Sequence, residues 1–164
     1  MEVECFLSLG SNINKREENL KDSIDFLKGE NKLKILKKSS IYETEPWGVE
    51  KQPPFLNMVL KTKTKVSPTF LLNICKRCEL KLGRKETLKW GSRIIDVDIL
   101  FYGNQILDKP KLKIPHPLLH KRRFILIPLA EIEPLKTHPL LKKTIIELLE
   151  ELNDKKWVNK WGEI

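Results

Sequence analysis

The chain has 164 residues, with 31 Lys or Arg against 22 Asp or Glu, a formal net charge of +9 and 40% hydrophobic residues. That length suits one domain that buries a core without disulfides, and no apolar run reaches the roughly 18 residues of a membrane span. The positive surplus calls for an anionic partner (nucleic acid, an acidic membrane or a phosphorylated small molecule) but does not choose among them, because the lysines are spread along the chain.

The first residues, MEVECFLSLGSN, lack the basic and apolar regions of a secretory signal, so a cytoplasmic location is expected. Val3, Cys5, Leu7 and Leu9 alternate with Glu2, Glu4, Phe6 and Ser8, which predicts a first strand. Asn14 and Glu17 resemble a capping box, and Leu20, Ile24 and Leu27 then recur at helical spacing up to Gly29. Residues 33–44 read as one strand, 45–54 as a loop with Pro and Gly, and 55–64 as another strand. Ser67-Pro68 opens a helix whose apolar stripe is Phe70, Leu71, Ile74, Cys75, Cys78 and Leu82. Cys75 and Cys78 spell C-x-x-C on that stripe; with Cys5 the only other cysteine, core packing is expected rather than zinc or a redox pair. A basic loop at 84–91 leads into the strand IIDVDILFYG at 94–103. FILIPLAEI at 124–132 reads as a core strand running into a turn or short helix, and TIIELLEEL at 144–152 as a final amphipathic helix.

The order β-α-β-β-α-β with C-terminal additions predicts a single α+β domain over residues 1–164. It is the ferredoxin-like arrangement: an antiparallel sheet with helices on one face and the other face available. Within the strand at 94–103, Ile95, Val97 and Ile99 share one face and Asp96 and Asp98 the other. The two aspartate Cα atoms then stand roughly 6.5–7 Å apart. Two carboxylates that close repel unless a cation lies between them, and oxygen-only ligands suit Mg²⁺. The pair alone also fits an exposed polar stretch on the wet side of a sheet. Its neighbours add weight to the metal. Arg84, Lys85, Trp90 and Arg93 precede it, and Lys111, Lys113, His116, Lys121, Arg122 and Arg123 follow. Basic loops on both sides of two acidic ligands outline a nucleoside triphosphate site. Neither the Walker glycine loop nor G-x-G-x-x-G occurs, so metal and side chains must hold the phosphates. Phe55 and Asn57 share a strand face, and with Phe124 they form either a platform for a flat heterocycle or ordinary core.

These residues resemble the 6-hydroxymethyl-7,8-dihydropterin pyrophosphokinase family. LGSN at 9–12, SSIYETEPWG at 39–48, PFLNMV at 54–59, ELKLGR at 79–84, KWGSRIIDVDILFYG at 89–103, IPHP at 114–117 and RRF at 122–124 carry the likeness, in the family's order. The resemblance implies transfer of the β,γ-diphosphate of ATP to the pterin hydroxymethyl group. It implies two Mg²⁺ on Asp96 and Asp98, with Arg84 and Arg93 beside them in the catalytic set. Glu79, Trp90, Ile99, Lys111, His116 and Arg122 complete the ATP site. Phe55 and Phe124 would sandwich the pterin, while Asn57 and the backbone around Thr44, Pro46 and Trp47 read its edge. Lys111 stands where many relatives carry Arg, Ser92 where many carry Pro, and the loop from Arg84 to Trp90 is one residue short of the familiar pattern. A monomer with no nucleic-acid or membrane partner is expected. The alternatives are a ferredoxin-like nucleic-acid-binding module and a palm-type two-metal nucleotidyltransferase.

Overall fold

A computed structural model describes residues 1–84 and 91–164. Strand β1 (Val3–Ser11), buried from Cys5 onward, runs through the middle of the sheet. It pairs antiparallel with β4 (Phe55–Thr64) on one side and β5 (Asp96–Tyr102) on the other. Beyond β4 lie β2 (Leu33–Lys38) and β3 (Ile41–Thr44), and β8 (Val158–Gly162) adds a further strand on β3. The small strands β6 (Leu107–Lys109) and β7 (Leu112–Ile114) form a separate ribbon. This is the ferredoxin-like core, with the strand expected over 33–44 divided in two.

The division falls at Ser39-Ser40. The Ser39 amide donates to the Val59 carbonyl, and its hydroxyl accepts from the Val59 amide at 2.9 Å. The Ser40 amide donates to the Glu131 carboxylate. The side chains of Ser39 and Glu131 thus replace ladder bonds, and the pairing shifts from Lys38↔Leu60 to Tyr42↔Asn57.

Two helices cover one face. Helix α2 (Pro68–Lys81) starts as expected, with Ser67 Oγ accepting from the Phe70 amide, and buries Leu71, Ile74, Cys75 and Cys78. Phe70 itself is 44% exposed and lies outside the stripe assigned to it. Burial pushes the Cys78 thiol up to about 12, so this C-x-x-C is inert packing. Helix α1 (Arg16–Gly29) has no side-chain cap. Asn14 sits at φ 59, in the left-handed region that asparagine tolerates, one residue before the cap position Lys15, so the expected capping box does not form.

Residues 124–132 are a helix, not a strand. In α3 (Arg123–Ile132) the buried residues Ile125, Leu126, Leu129 and Ile132 follow helical spacing, which outweighs Pro128 and the branched residues around it. With α4 (Ile145–Glu151), opened by the Thr144–Glu147 capping box, it packs on Phe6, Val59, Leu100 and Phe101. The C-terminal additions therefore cover part of the second face. The end carrying Gly10, Asn57 and Asp96 lines a cleft.

Beside α4, His138 Nδ1 accepts from the amides of Leu140 at 3.2 Å and Leu141 at 3.1 Å. Burial, with His120 and Lys136 nearby, lowers its pKa to about 4. An unfolded histidine, near 6.5, takes up its proton first, so this stability is present above 6.5 and is lost as pH falls toward 4. Urea unfolding at pH 7 and pH 5 is expected to show about 1–2 kcal/mol more loss in wild type than in His138→Asn, whose amide oxygen keeps both bonds without titrating. Equal losses would place the acid sensitivity elsewhere.

Candidate active site

The alternation in β5 places Val97 and Ile99 in the core under α1 and α2, while Asp96 and Asp98 line a cleft on the opposite face. They stand beside Gly10 and Ser8 of β1. Glu79, in the last turn of α2 and 3% exposed, reaches this strand. Its Oε1 accepts from the Val97 amide at 3.0 Å and from Arg84 Nη1 at 2.7 Å. The carboxylate thus satisfies an outward amide of an edge strand, between the two aspartates.

Arg84 Nη1 also bonds Asp96 Oδ1 at 2.7 Å, and Arg93 Nη1 bonds Asp96 Oδ2 at 3.0 Å. Burial alone would raise the Asp96 pKa; Arg93 and Arg84 outweigh it and hold this carboxyl below its ordinary value. Among the described residues no ion pair reaches Asp98. Burial, then Asp96 and Glu79, push it up to about 8. One carboxylate is neutralised by two arginines and its neighbour is short of positive charge. That donor set fits a hard divalent cation.

On one side of the aspartates lies a slot whose walls include Phe55, Phe124 and Trp47. Asn57 is 5% exposed at its base, and its Oδ1 accepts from the Thr44 hydroxyl at 2.7 Å. Its Nδ2 faces Gly10, where an added methyl would stand 2.7 Å away. The LGSN run at 9–12 reads as the end of the first strand, but β1 continues through Gly10 to Ser11, and a glycine inside a buried strand signals a close approach. Pro46 is buried and does not line the slot. The guanidinium of Arg93 lies 5.9 Å from the Phe55 ring centroid, and that of Arg122 lies 4.6 Å from the Trp47 ring.

On the other side Asp98 also borders a second, basic cleft that brings together Ile99, Lys111 and His116, as expected, with Lys76 added. His116 Nδ1 accepts from the Leu118 amide at 3.1 Å, which leaves Nε2 to donate. Burial and Arg122 lower its pKa to about 4, so it is neutral at pH 7. Lys76, three residues before Glu79 and ion-paired to it at 3.2 Å, was absent from the expected set. Arg122, expected at the triphosphate, lies in the ring slot instead. Arg123 is turned away, donating to the Lys156 carbonyl. Trp90 and Lys85 lie outside the described residues.

A model of the 7,8-dihydro-6-hydroxymethylpterin-pyrophosphokinase family matches residues 6–134. A 2-amino-4-hydroxy-6-hydroxymethyldihydropteridine pyrophosphokinase of Aquifex aeolicus is 45% identical over 146 residues, covering 89% of this chain and 90% of that protein. The protein of the same name from Bacillus subtilis is 41% identical over 128 residues, covering 78% and 77%. The wild-type HPPK-DHPS of Plasmodium falciparum, solved with pteroate, superposes with a TM-score of 0.74 over 92% of this chain at 18% identity. This chain spans 42% of that longer protein, and the likeness is one of fold. The chain belongs to the 7,8-dihydro-6-hydroxymethylpterin-pyrophosphokinase (HPPK) family.

Proposed function

We infer that this protein transfers the β,γ-diphosphate of ATP to the hydroxymethyl group of 6-hydroxymethyl-7,8-dihydropterin, releasing AMP, as a diphosphotransferase of folate biosynthesis. The observation that carries this reading is Asp98, shared by an aromatic slot with an amide at its base and by a cleft lined with lysines. Donor and acceptor bound on its two sides have their reacting groups side by side, and such placement is the larger part of catalysis in phosphoryl-type transfer.

In this reading Asp96 and Asp98 hold Mg²⁺, two ions in all, which supplies charge for the phosphate oxygens when bound. Arg84 and Arg93, both beside Asp96, reach the transferred group and steady its charge in the transition state. Phe55 and Phe124 clamp the pterin, and Asn57 reads its edge. The hydroxyl oxygen attacks the β-phosphorus in line, the bond from that phosphorus to the α,β-bridging oxygen breaks, AMP leaves with this oxygen, and the hydroxyl proton passes to solvent. Lys76, Lys111, Lys113 and neutral His116 serve the nucleotide side. Glu79 keeps β5 in place. The protein acts as a cytoplasmic monomer, which size-exclusion chromatography tests. No helix among the described residues is long and apolar enough to cross a membrane.

A nucleic-acid module would place no acidic pair on its exposed sheet face, since phosphates would be repelled. A palm-type polymerase would need a templating groove. Incubation with ATP, Mg²⁺ and the dihydropterin is expected to give one AMP per pterin consumed. ADP would mean transfer of a single phosphoryl group, and absence of pterin-dependent turnover in folded protein would sink the reading.

Thr44→Val tests the edge contact. It keeps the shape and removes the donor that fixes the Asn57 amide. The pterin KM is expected to rise about five- to tenfold, as for one lost buried hydrogen bond, with the ATP KM unchanged. An unchanged pterin KM would take Asn57 out of recognition.

A further inference from the structure

We propose that Arg122 occupies the pterin slot of the nucleotide-free protein with its own guanidinium, and that the pterin ring enters only as this side chain swings out toward phosphate. The proposal rests on the pyrophosphokinase reading above. The guanidinium carbon stands 4.6 Å from the Trp47 ring centroid and 5.5 Å from that of Phe124. A guanidinium is flat, delocalised and weakly hydrated, so it stacks on aromatic faces much as a heterocycle does. With it in place the slot retains about 50 Å³ of open space, room for a few waters rather than a bicyclic ring.

The same side chain is poorly satisfied where it lies. Arg122 is 8% exposed, and among the described residues its buried Nε has no hydrogen-bond partner. Among the described residues no carboxylate pairs with it within ion-pair distance, although Asp98 and Asp96 attract it from farther off. A buried cation held by two ring faces, with one N–H unpaired, is poised to move to any anion within reach. The transferred phosphates, arriving across Asp96 and Asp98, are such an anion. The phosphate contact expected of Arg122 and its observed place beside two aromatic rings are then two ends of one movement. Its consequence is coupling: Arg122 competes with the pterin until nucleotide draws it away, so nucleotide raises pterin affinity through this one residue.

The test measures binding of 6-hydroxymethylpterin by fluorescence to wild type, Arg122→Ala and Arg122→Lys. Each is titrated without nucleotide and with Mg²⁺ and α,β-methylene-ATP. The lysine variant keeps the aliphatic stem that supports the rings and lacks the flat cation. Without nucleotide both variants are expected to bind the ring roughly tenfold more tightly than wild type, and with the analogue the gap closes to within about threefold. If wild type binds the ring with the analogue present but neither variant is tighter without it, the proposal fails and the pyrophosphokinase reading stands. If no form binds the ring in either state, that reading falls and the proposal with it.

Discussion

Asp98→Asn is expected to lower AMP formation by roughly 10³-fold or more and yet to raise the thermal midpoint of the metal-free protein. The two effects share one cause. Asp98 lies against Asp96 and Glu79, no ion pair reaches it among the described residues, and burial and those neighbours drive its pKa up. An amide of the same size removes the repulsion and so stabilises the empty site, by roughly 1 kcal/mol. It also removes a ligand oxygen from a residue that both clefts share. Asp96→Asn is expected to lose turnover to a similar extent with the opposite effect on stability. Asp96 is already paired, at 2.7 Å with Arg84 and 3.0 Å with Arg93, and its loss leaves two part-buried guanidinium groups with a weaker acceptor. Steady-state AMP release and calorimetry in EDTA at pH 7.5 read both quantities. If Asp98→Asn kept a tenth of wild-type turnover, Asp98 would not be a ligand.

The D-x-D alternation was legible because strand periodicity is local. Once 94–103 is a strand, the opposite faces of Val97 and Asp98 follow. The same holds for Phe55 and Asn57 on β4, and for Ser67-Pro68, whose cap bond spans three residues. Contacts made far along the chain were not legible in this way. Nothing near Glu79 shows that it will accept from an amide 18 residues later, and nothing near Ser40 shows its bond to Glu131. Strand β8 was missed because VNKWG has no apolar alternation; it exists because the edge of β3 offers it a partner. Residues 124–132 were misread for a different reason. A run of nine mostly apolar residues satisfies both periods, and the choice is made by the face it must cover, Phe6, Phe101 and Val59. The phosphate role given to Arg122 came from its place in a motif, and a motif does not say which way a long side chain points in the empty protein.

Arg93 offers the second large effect, because it touches both halves of the site. Its Nη1 holds Asp96, its guanidinium lies over Phe55, and its Nε donates to the Gly91 carbonyl at 3.1 Å. Its backbone is fixed as well: the amide donates to Asn12 Oδ1 at 2.8 Å, and the carbonyl accepts from the Asn12 amide at 3.1 Å. Three side-chain contacts and two backbone bonds leave the planar fork little freedom, so the position selects for geometry as well as charge. Arg93→Ala is expected to cut kcat by roughly 10²–10³-fold, the loss typical of one aligned donor in a charge-stabilising site. Arg93→Lys keeps the charge, but a lysine cannot bond Asp96, stack on Phe55 and reach Gly91 at once. It is expected to recover less than a tenth of the loss, in kcat rather than in either KM. Single-turnover measurements at saturating ATP and pterin separate these outcomes. Recovery to near wild-type rate in the lysine variant would mean that charge alone matters there and that the observed anchoring of Arg93 serves the fold instead.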